Sequence, residues 1–404
     1  MVCLGCECYT RLLQLLVYMI RGLIMRGKKV ISFFLGTMMC FLVGCTSSNT
    51  IEVEENKTLS KDFNNINIMI DPRIELLSVI FYLSPTYNNE TSSIIPEDIS
   101  YKKDVEKYFK EYKDHKAVKM FELMYKEGFA YDAPPTSMLF LTNTPVLKIK
   151  ENIDKDDYMY TQCMERAGGE DRFIRFIEEL NKFCEESNFY DFYNKHIDYY
   201  NKILDNTIKG LKDVDYISQM EEYYGKKQNS YNIILSGMLY ANNYGPRIKD
   251  TSGNFDIYSI QGSFDIEDDL PKFDDEEFFK YLVRHEFGHS FVNPVTTDNI
   301  DTVNKYENLY TPIESEMKKQ AYSNWDTSLN EHIVRAVVIR MTEINDGKNE
   351  AEKYIDKERK SSFIYIDDIV NLLKDEYEPN RDKYSTFEDF YPNILKLLDD
   401  LSKK

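Results

Sequence analysis

The sequence predicts a mixed α+β protein in which a small sheet comes first and a mainly helical region follows. Two β-like runs, "YNIILSGMLYANNYGP" and "FDIYSIQGSFDI", precede residue 273, whereas helical patterning is nearly continuous from residue 274 onwards. With 404 residues, 42% of them hydrophobic, the chain is long enough to bury a large core. We therefore divide residues 61–404 into an α+β part (61–273) and a helical part (274–404).

The amino-terminal segment "MRGKKVISFFLGTMMCFLVGC", residues 25–45, begins with basic residues, continues as an apolar run and ends with a small residue before a cysteine. This order is typical of a secretory signal. Its end, Leu42-Val43-Gly44-Cys45, resembles the lipobox of bacterial lipoproteins, which implies cleavage after Gly44 and acylation of Cys45. We expect translation to start at Met25 and residues 1–45 to be a signal segment. The alternative is an uncut transmembrane anchor.

Residues 46–60 are polar and aperiodic, and are expected to be a flexible tether. The protein is therefore expected on the extracytoplasmic face of the cell membrane, held by a lipid anchor. Residues 46–404 carry 45 Lys and Arg against 68 Asp and Glu, a formal net charge of −23. This charge argues against nucleic acid as a partner, because binding to phosphates requires clustered positive charge. The sequence does not predict an oligomeric state.

Cysteine usage agrees with export. Cys45 is the predicted lipidation site, and four cysteines lie in the segment to be removed: Cys3, Cys6, Cys8 and Cys40. Only Cys163 and Cys184 are left, as one disulfide or as two buried free thiols.

Several elements follow from periodicity and turn residues. "NNINIMIDPRIELLSVIFYLSP" predicts a short strand and a helix from about Pro72, and residues 100–128 predict one helix that ends at Gly128. "YDAPPTSMLFLTN" is interpreted as a loop, with a strand as the alternative. Residues 170–224 predict two or three amphipathic helices, and Asn and Gly clusters after the two β-like runs predict hairpin turns. His115 and His196 are interpreted as structural or surface residues of helices.

The stretch "KYLVRHEFGHSFVNP" holds the main functional signal. Asp274 and Glu277 predict a capping box for a helix from Glu276 to Phe291, which Asn293-Pro294 is expected to end. His285 and His289, four positions apart, share one helix face and can direct both imidazoles at one Zn²⁺ ion.

Glu286 lies about 100° around the helix from His285, beside the metal position. A carboxylate there can act as general base on a metal-activated water. A chance His-Glu-x-x-His is expected on the order of 0.005 times in a chain with this histidine content. Coincidence is therefore a weak explanation, and the stronger rivals are an inactive helix that keeps the motif and a structural metal.

A catalytic zinc site needs a third protein ligand. The metzincin pattern is excluded, because it requires Gly and His where this chain has Val292 and Val295. In "TSLNEHIVRAVVIRM", Asn330-Glu331 opens a further predicted helix. Together, the five residues His285, Glu286, His289, Asn330 and Glu331 resemble the gluzincin zinc peptidases.

The gluzincin resemblance implies a zincin-like fold, one bound Zn²⁺ and Glu331 as third ligand. The exported region also resembles an uncharacterised family of bacterial lipoproteins with a domain of unknown function, through "DPRIELLSVIFYLS", "GFAYDAP" and "RHEFGHSFVNP". In gluzincins of the thermolysin type, an Asp lies four residues after the third ligand. This chain has Arg335 there, for which we expect a contact with Glu331 or another carboxylate; binding of a substrate carboxylate is the alternative.

Other ligands and contacts stay open at this stage. His332 could replace Glu331 or approach the oxyanion, but neighbouring helix positions face about 100° apart, so only one of the two is expected to coordinate. Asp298 and Asp301 are further alternatives. The candidates for stabilising the oxyanion are Tyr306, Tyr310 and Tyr365. The strand "YSIQGSF" is expected to offer an open edge to a substrate backbone, with Gly262 interpreted as part of that edge or as a turn.

The sequence thus predicts a membrane-anchored extracytoplasmic zinc metallopeptidase acting on a peptide or protein, with Glu286 as the catalytic residue. One alternative is a surface-binding lipoprotein that keeps the zinc fold without turnover. The other is a zinc amidase that acts on cell-wall peptide.

Overall fold

The computed structural model describes residues 58–91, 93–143 and 146–404. The signal segment, Met25, Cys45 and most of the expected tether lie outside the described residues. The end of that tether does not match the expectation, because Leu59–Phe63 form a strand. Leu59 pairs with Ile70 and Phe63 with Ile66, so backbone pairing to an apolar strand outweighs the polar composition.

The strands form a mixed sheet and a separate hairpin. They are β1 (Leu59–Phe63), β2 (Ile66–Ile70), β3 (Ser230–Tyr240), β4 (Asn243–Tyr244), β5 (Arg247–Lys249), β6 (Phe255–Ser263), β7 (Asp265–Glu267) and β8 (Leu270–Lys272). The main sheet has the order β1-β2-β3-β6-β4, with β5 also paired to β6, and β7 pairs with β8. β2, β3 and β6 run parallel, whereas β1, β4 and β5 are antiparallel to their neighbours.

The predicted hairpin turns need a correction. The two long β-like runs, β3 and β6, lie side by side but parallel. Between β3 and β6 the chain runs back through the short strands β4 and β5. A hairpin is formed by β5 with the start of β6. The chain does reverse direction after β3, through β4 and β5, but the turn residues did not specify which strands pair.

Ten helices lie in the α+β part of the described chain: α1 (Pro72–Leu83), α2 (Pro85–Thr91), α3 (Ser100–Phe109), α4 (Lys116–Lys126), α5 (Ala133–Leu139), α6 (Tyr158–Arg166), α7 (Glu170–Ser187), α8 (Phe189–Lys195), α9 (Ile197–Gly210) and α10 (Tyr216–Tyr224). The strand and helix expected around Pro72 are confirmed, with Asp71 capping α1 by accepting a hydrogen bond from the Arg73 amide.

Three predictions for this part were wrong: two on the number of helices and one that expected a loop or strand where a helix lies. The single helix expected over residues 100–128 is two, because the His115 side chain caps α4 by accepting from the Ala117 amide. "YDAPPTSMLFLTN" contains helix α5, which has proline in its first turn, where no amide donor is required. Residues 170–224 form four helices, not two or three.

After residue 275 the described elements are helical. They are α11 (Glu276–Asp298), α12 (Ile300–Val303), α13 (Glu314–Lys319), α14 (Trp325–Asn345), α15 (Lys348–Lys360), α16 (Ile366–Leu372) and α17 (Phe387–Leu401), with short 3₁₀ and π segments between some of them. The chain is therefore a mixed α/β protein with a small sheet and a helical carboxy-terminal part, as the sequence predicted at this level.

Helix α11, which carries the two histidines, begins at Glu276 as predicted, but its capping residue and its carboxy-terminal end differ from the prediction. Its cap is Asp275, which accepts from the Phe278 amide at 2.9 Å, and not Asp274. It also continues through Pro294 to Asp298. Proline removes one helical hydrogen bond, but Val295 and Thr296 of the next turn are buried, and Thr296 Oγ1 lies 2.7 Å from the Tyr391 hydroxyl of α17. Tertiary packing thus holds the turn that the sequence predicts to be lost.

Close packing places α11 against α14. A Cβ on Gly288 would lie 3.1 Å from the Tyr224 hydroxyl and 3.2 Å from Val334 Cγ1, so the absence of a side chain lets α14 approach. At the far end of α14, Arg284 Nη1 donates to Asp346 Oδ2 at 2.6 Å. Phe287 of α11 contacts Tyr231 of β3 on the sheet, with ring centroids 5.4 Å apart.

Cys163 and Cys184 are buried free thiols, which decides between the two alternatives left by the sequence. Burial raises the pKa of each thiol to about 12. Among the helices of the described residues, none has the length and apolarity needed to cross a membrane.

Candidate metal centre

His285 and His289 lie on one face of α11 with their rings almost perpendicular. The ring planes differ by 89° and the two Nε2 atoms are 3.3 Å apart. This pairing follows from the helix itself, because positions four apart lie one turn above each other.

Glu331 reaches the same point from the first half of α14. Its Oε1 is 3.3 Å from His289 Nε2, and its Oε2 is 3.6 Å from His285 Nε2. The three side chains therefore form a group that can hold a metal ion, their ligand atoms all lying within 4.8 Å of one another. The side chains of His285 and Glu331 are less than 10% exposed, so the group is shielded from bulk water.

The charges in the group follow from burial and from the short contacts. Burial would raise the pKa of Glu331, but His285, His289 and Arg335 together hold it below its ordinary value, so Glu331 is a carboxylate. Burial lowers the pKa of His285, so its imidazole is neutral at physiological pH. Burial alone would lower the pKa of His289. The nearby Glu331 carboxylate, which contacts the His289 ring, raises it above its ordinary value. A cation bound between His289 and Glu331 would compete with protonation of the imidazole.

Glu286 is buried beside this group and is not part of it. Burial raises the pKa of its carboxyl to about 7. A Cβ on Gly245, which directly follows β4, would lie 2.8 Å from Glu286 Oε2 and 2.7 Å from its carbonyl oxygen. The sheet therefore abuts Glu286 through a residue without a side chain. Nothing in the local sequence around Gly245 indicated this contact.

Two residues orient the ligand side chains from outside the group. Asn293 Oδ1 lies 3.2 Å from His289 Nδ1, so that nitrogen can donate its proton to the amide and leave Nε2 free for a metal. The sequence reasoning missed Asn293, although its spacing of four from His289 was a usable signal. Arg335 Nη2 is 3.1 Å from Glu331 Oε2, so the expected contact with that carboxylate is present.

Residues 66–397 match the sequence signature of DUF4932, a domain of unknown function. The chain belongs to the DUF4932 family. This membership confirms the expected family with a domain of unknown function, and the match includes both histidines, Glu286 and Glu331. No curated protein and no solved structure matches the DUF4932 chain.

His332 and the acidic alternatives lie outside the ligand group of this DUF4932 domain. The His332 ring is buried against Phe363 and Tyr365, and its Nδ1 is 2.7 Å from the Ser328 carbonyl oxygen. Burial lowers the pKa of His332 to about 4, so the ring is neutral. Asp298 and Asp301 are exposed.

The tyrosines considered for the oxyanion have other contacts. Tyr310 donates to the Tyr322 carbonyl at 2.6 Å, and Tyr365 donates to the Leu309 carbonyl at 2.7 Å. Tyr306 lies in a kinked 3₁₀ segment and packs partly buried against the core. A tyrosine that the sequence did not single out, Tyr281, stacks on His285 with ring centroids 5.4 Å apart.

The predicted open edge at "YSIQGSF" was wrong for this DUF4932 domain. That strand, β6, lies between β3 and the two short strands, so its edges are already paired. The last strand in the sheet order is β4, whose residues Asn243 and Tyr244 pair with Gln261 and Ile260 and which Gly245 follows. Gly262 is not in a turn but inside β6, where an added Cβ would lie 2.9 Å from the Tyr240 amide nitrogen.

Proposed function

We propose that this protein is a zinc metallopeptidase with a gluzincin-type site and a zincin-like fold. One observation carries the proposal. Two imidazole nitrogens and a carboxylate meet at 3.3–3.6 Å in a buried group, and a further buried carboxylate, Glu286, lies beside that group. Two histidines with one glutamate form a three-ligand set that catalytic zinc sites use, because it leaves a fourth position open.

The spacing supports an ion of zinc's size. Two nitrogens bound tetrahedrally at about 2.0–2.1 Å from one ion are about 3.3 Å apart. The Nε2 atoms of His285 and His289 are 3.3 Å apart, and so are His289 Nε2 and Glu331 Oε1. The mixture of imidazole and carboxylate is a borderline-soft donor set, which suits zinc better than calcium or magnesium.

Zinc in this group would supply Lewis acidity, which polarises a substrate carbonyl and lowers the pKa of a bound water. Glu286 is the proposed general base. Its pKa of about 7 suits a group that takes a proton from water and then returns it to the leaving nitrogen at neutral pH. Burial of Glu286 keeps bulk water from competing for that proton.

A peptide substrate would be held by β4. The strand is the last in the sheet order, and the residue that follows it, Gly245, lies against Glu286. An extended peptide added to this end would lie next to the proposed base. The scissile carbonyl would thereby be brought between Glu286 and the ligand group.

The test is metal analysis combined with Glu286→Gln. We expect the full-length protein to hold one zinc ion and to cleave members of a peptide library. Glu286→Gln should hold the same zinc and lose cleavage by at least about 10³-fold, whereas His289→Ala should lose both. Glu277→Gln, an exposed change on the same helix, is the matched control. Wild-type activity in Glu286→Gln would refute the proposal.

The same preparation distinguishes the alternatives. A protein that holds zinc but cleaves neither casein nor peptidoglycan fragments would be the silent surface-binding form. Cleavage of peptidoglycan fragments alone would identify an amidase acting on cell-wall peptide. We further propose that the protein is lipid-anchored at Cys45 on the extracytoplasmic face; palmitate labelling of cells, lost in Cys45→Ala, tests this separately.

A further inference from the structure

Helix α15 is linked to the ligand Glu331 by two ion pairs that share Arg335. Glu358 of α15 is 1% exposed, and its Oε2 accepts from Arg335 Nη1 at 2.8 Å. Arg335 in turn contacts Glu331 Oε2 through Nη2 at 3.1 Å and Nε at 3.2 Å. One guanidinium therefore lies between two buried carboxylates, one of which belongs to the ligand group.

The guanidinium of Arg335 has little freedom to move. Nη1 also donates to the Tyr281 hydroxyl at 3.0 Å, and Nη2 donates to the Tyr322 hydroxyl at 3.2 Å. Its plane lies over the Phe363 ring, 4.4 Å from the centroid. Arg335 thus holds Glu331 Oε2 in one direction, which leaves Oε1 facing His289. Glu358 is the second carboxylate that this guanidinium contacts.

A second route connects α15 to His285. Lys357 lies over the Tyr281 ring, 4.8 Å from the centroid, and Tyr354 packs against the same ring at 5.5 Å. Tyr281 is nearly parallel to the His285 ring, with an interplanar angle of 12°. Two consecutive residues of α15 are therefore connected to ligand side chains. Lys357 is connected to His285 through Tyr281, and Glu358 is connected to Glu331 through Arg335.

We infer that Glu358 is a positioning residue for the metal, which acts through Arg335 on the orientation of Glu331. The inference rests on the proposed function, since it requires a metal in the ligand group. A buried pair with only a structural role would join α14 to α15 without affecting the ligands. Here Arg335 binds the ligand carboxylate itself, so a change at Glu358 alters the direction in which Glu331 presents its oxygens.

The experiment compares Glu358→Gln with Glu352→Gln, an exposed glutamate on the same helix. Zinc affinity of the full-length protein is measured by competition with a chelator, and the absorption spectrum of the cobalt-substituted protein reports the ligand geometry. Unfolding of the metal-free protein reports stability. We expect Glu358→Gln to weaken zinc affinity on the order of 10–100-fold and to shift the cobalt spectrum. Glu352→Gln should change neither.

Two further variants keep the inference falsifiable. Val105→Ala, a core change in α3, is the control for a loss of stability at a position remote from the ligands. If Glu358→Gln fails to fold, Arg335→Lys is used, which keeps the charge but loses the planar fork that binds two carboxylates. Unchanged zinc affinity and cobalt spectrum in the folded variant would overturn this inference while leaving the proposed function intact. A wild-type protein that binds no zinc would overturn the proposed function instead.

Discussion

Gly245 lies so close to Glu286 that a Cβ on Gly245 would be only 2.8 Å from Glu286 Oε2. The sheet therefore meets the proposed base at a position that cannot accept any side chain without movement. We expect Gly245→Ala to displace the carboxylate and to lower peptide cleavage on the order of 10²-fold, since a shift of about 1 Å costs this much.

Zinc content should be unchanged in Gly245→Ala, because the three atoms nearest to a Cβ at this position all belong to Glu286. Ser252→Ala, in the exposed turn between β5 and β6, is the control and should keep full activity. Cleavage by Gly245→Ala at the wild-type rate would show that Glu286 does not need its present position.

Asn293 should contribute to metal affinity through His289. In Asn293→Ala, His289 Nδ1 loses its acceptor, so the ring can rotate and its proton can move to Nε2. We expect zinc affinity to fall on the order of 10-fold, whereas Asn293→Asp, which keeps an acceptor oxygen, should retain it. Chelator competition measures both. Asp298→Ala, at the exposed end of the same helix, should not change zinc affinity. A loss of affinity in this variant would support Asp298 as a ligand.

Gly288 should control the distance between α11 and α14. In Gly288→Ala the added carbon meets Val334 Cγ1 at 3.2 Å and the Tyr224 hydroxyl at 3.1 Å. Crowding costs about 1–3 kcal/mol, which exceeds the gain of up to about 1 kcal/mol from better helix propensity. We therefore expect a lower free energy of unfolding in urea and weaker zinc binding, since Glu331 lies one turn before Val334. Restoration of both by Val334→Ala is the diagnostic result; no restoration would place the strain elsewhere.

Glu75 should make stability depend on pH. It is fully buried on α1, where its Oε1 accepts from Ser236 Oγ at 2.8 Å and the Gly237 amide at 2.9 Å, and its Oε2 accepts from the Tyr101 hydroxyl at 2.8 Å. Burial raises its pKa, although these hydrogen bonds oppose the shift. A raised pKa means that the folded state binds the proton more tightly than the unfolded chain. The resulting stabilisation is complete below the unfolded pKa of about 4.3 and is lost as pH rises through the folded pKa.

Glu75→Gln should remove the loss of stability that occurs as the pH rises. Its amide oxygen can still accept from Ser236 and Gly237, and its NH₂ can donate to Tyr101, which can donate in turn to the neighbouring Tyr200 hydroxyl. Urea unfolding between pH 4 and 8 should therefore give a flatter pH profile than in the wild type. Glu97→Gln, at an exposed site, should leave the profile unchanged. Equal slopes for Glu75→Gln and the wild type would show that Glu75 keeps one charge state in this range.

Much of the candidate site was predictable because it is local or carried by a motif. Because His285 and His289 are four positions apart on one helix, their side chains share a face and their imidazoles can meet at one point. The Asn330-Glu331 pair identified the third member of the group, and the spacing of Arg335 anticipated its contact with Glu331. The α+β division followed from the change in periodicity near residue 274.

The tertiary structure decided what depends on partners distant in the chain. Strands β3 and β6 are parallel, which turn residues cannot reveal, and this pairing leaves β4 at the end of the sheet, with Gly245 against Glu286. Packing against Tyr391 carries α11 past Pro294, and burial raises the pKa of Glu286. Helical spacing is a property of the local backbone and can be derived from sequence. Strand order, burial and the contact of Arg335 with a second carboxylate, that of Glu358, arise only when remote segments pack together.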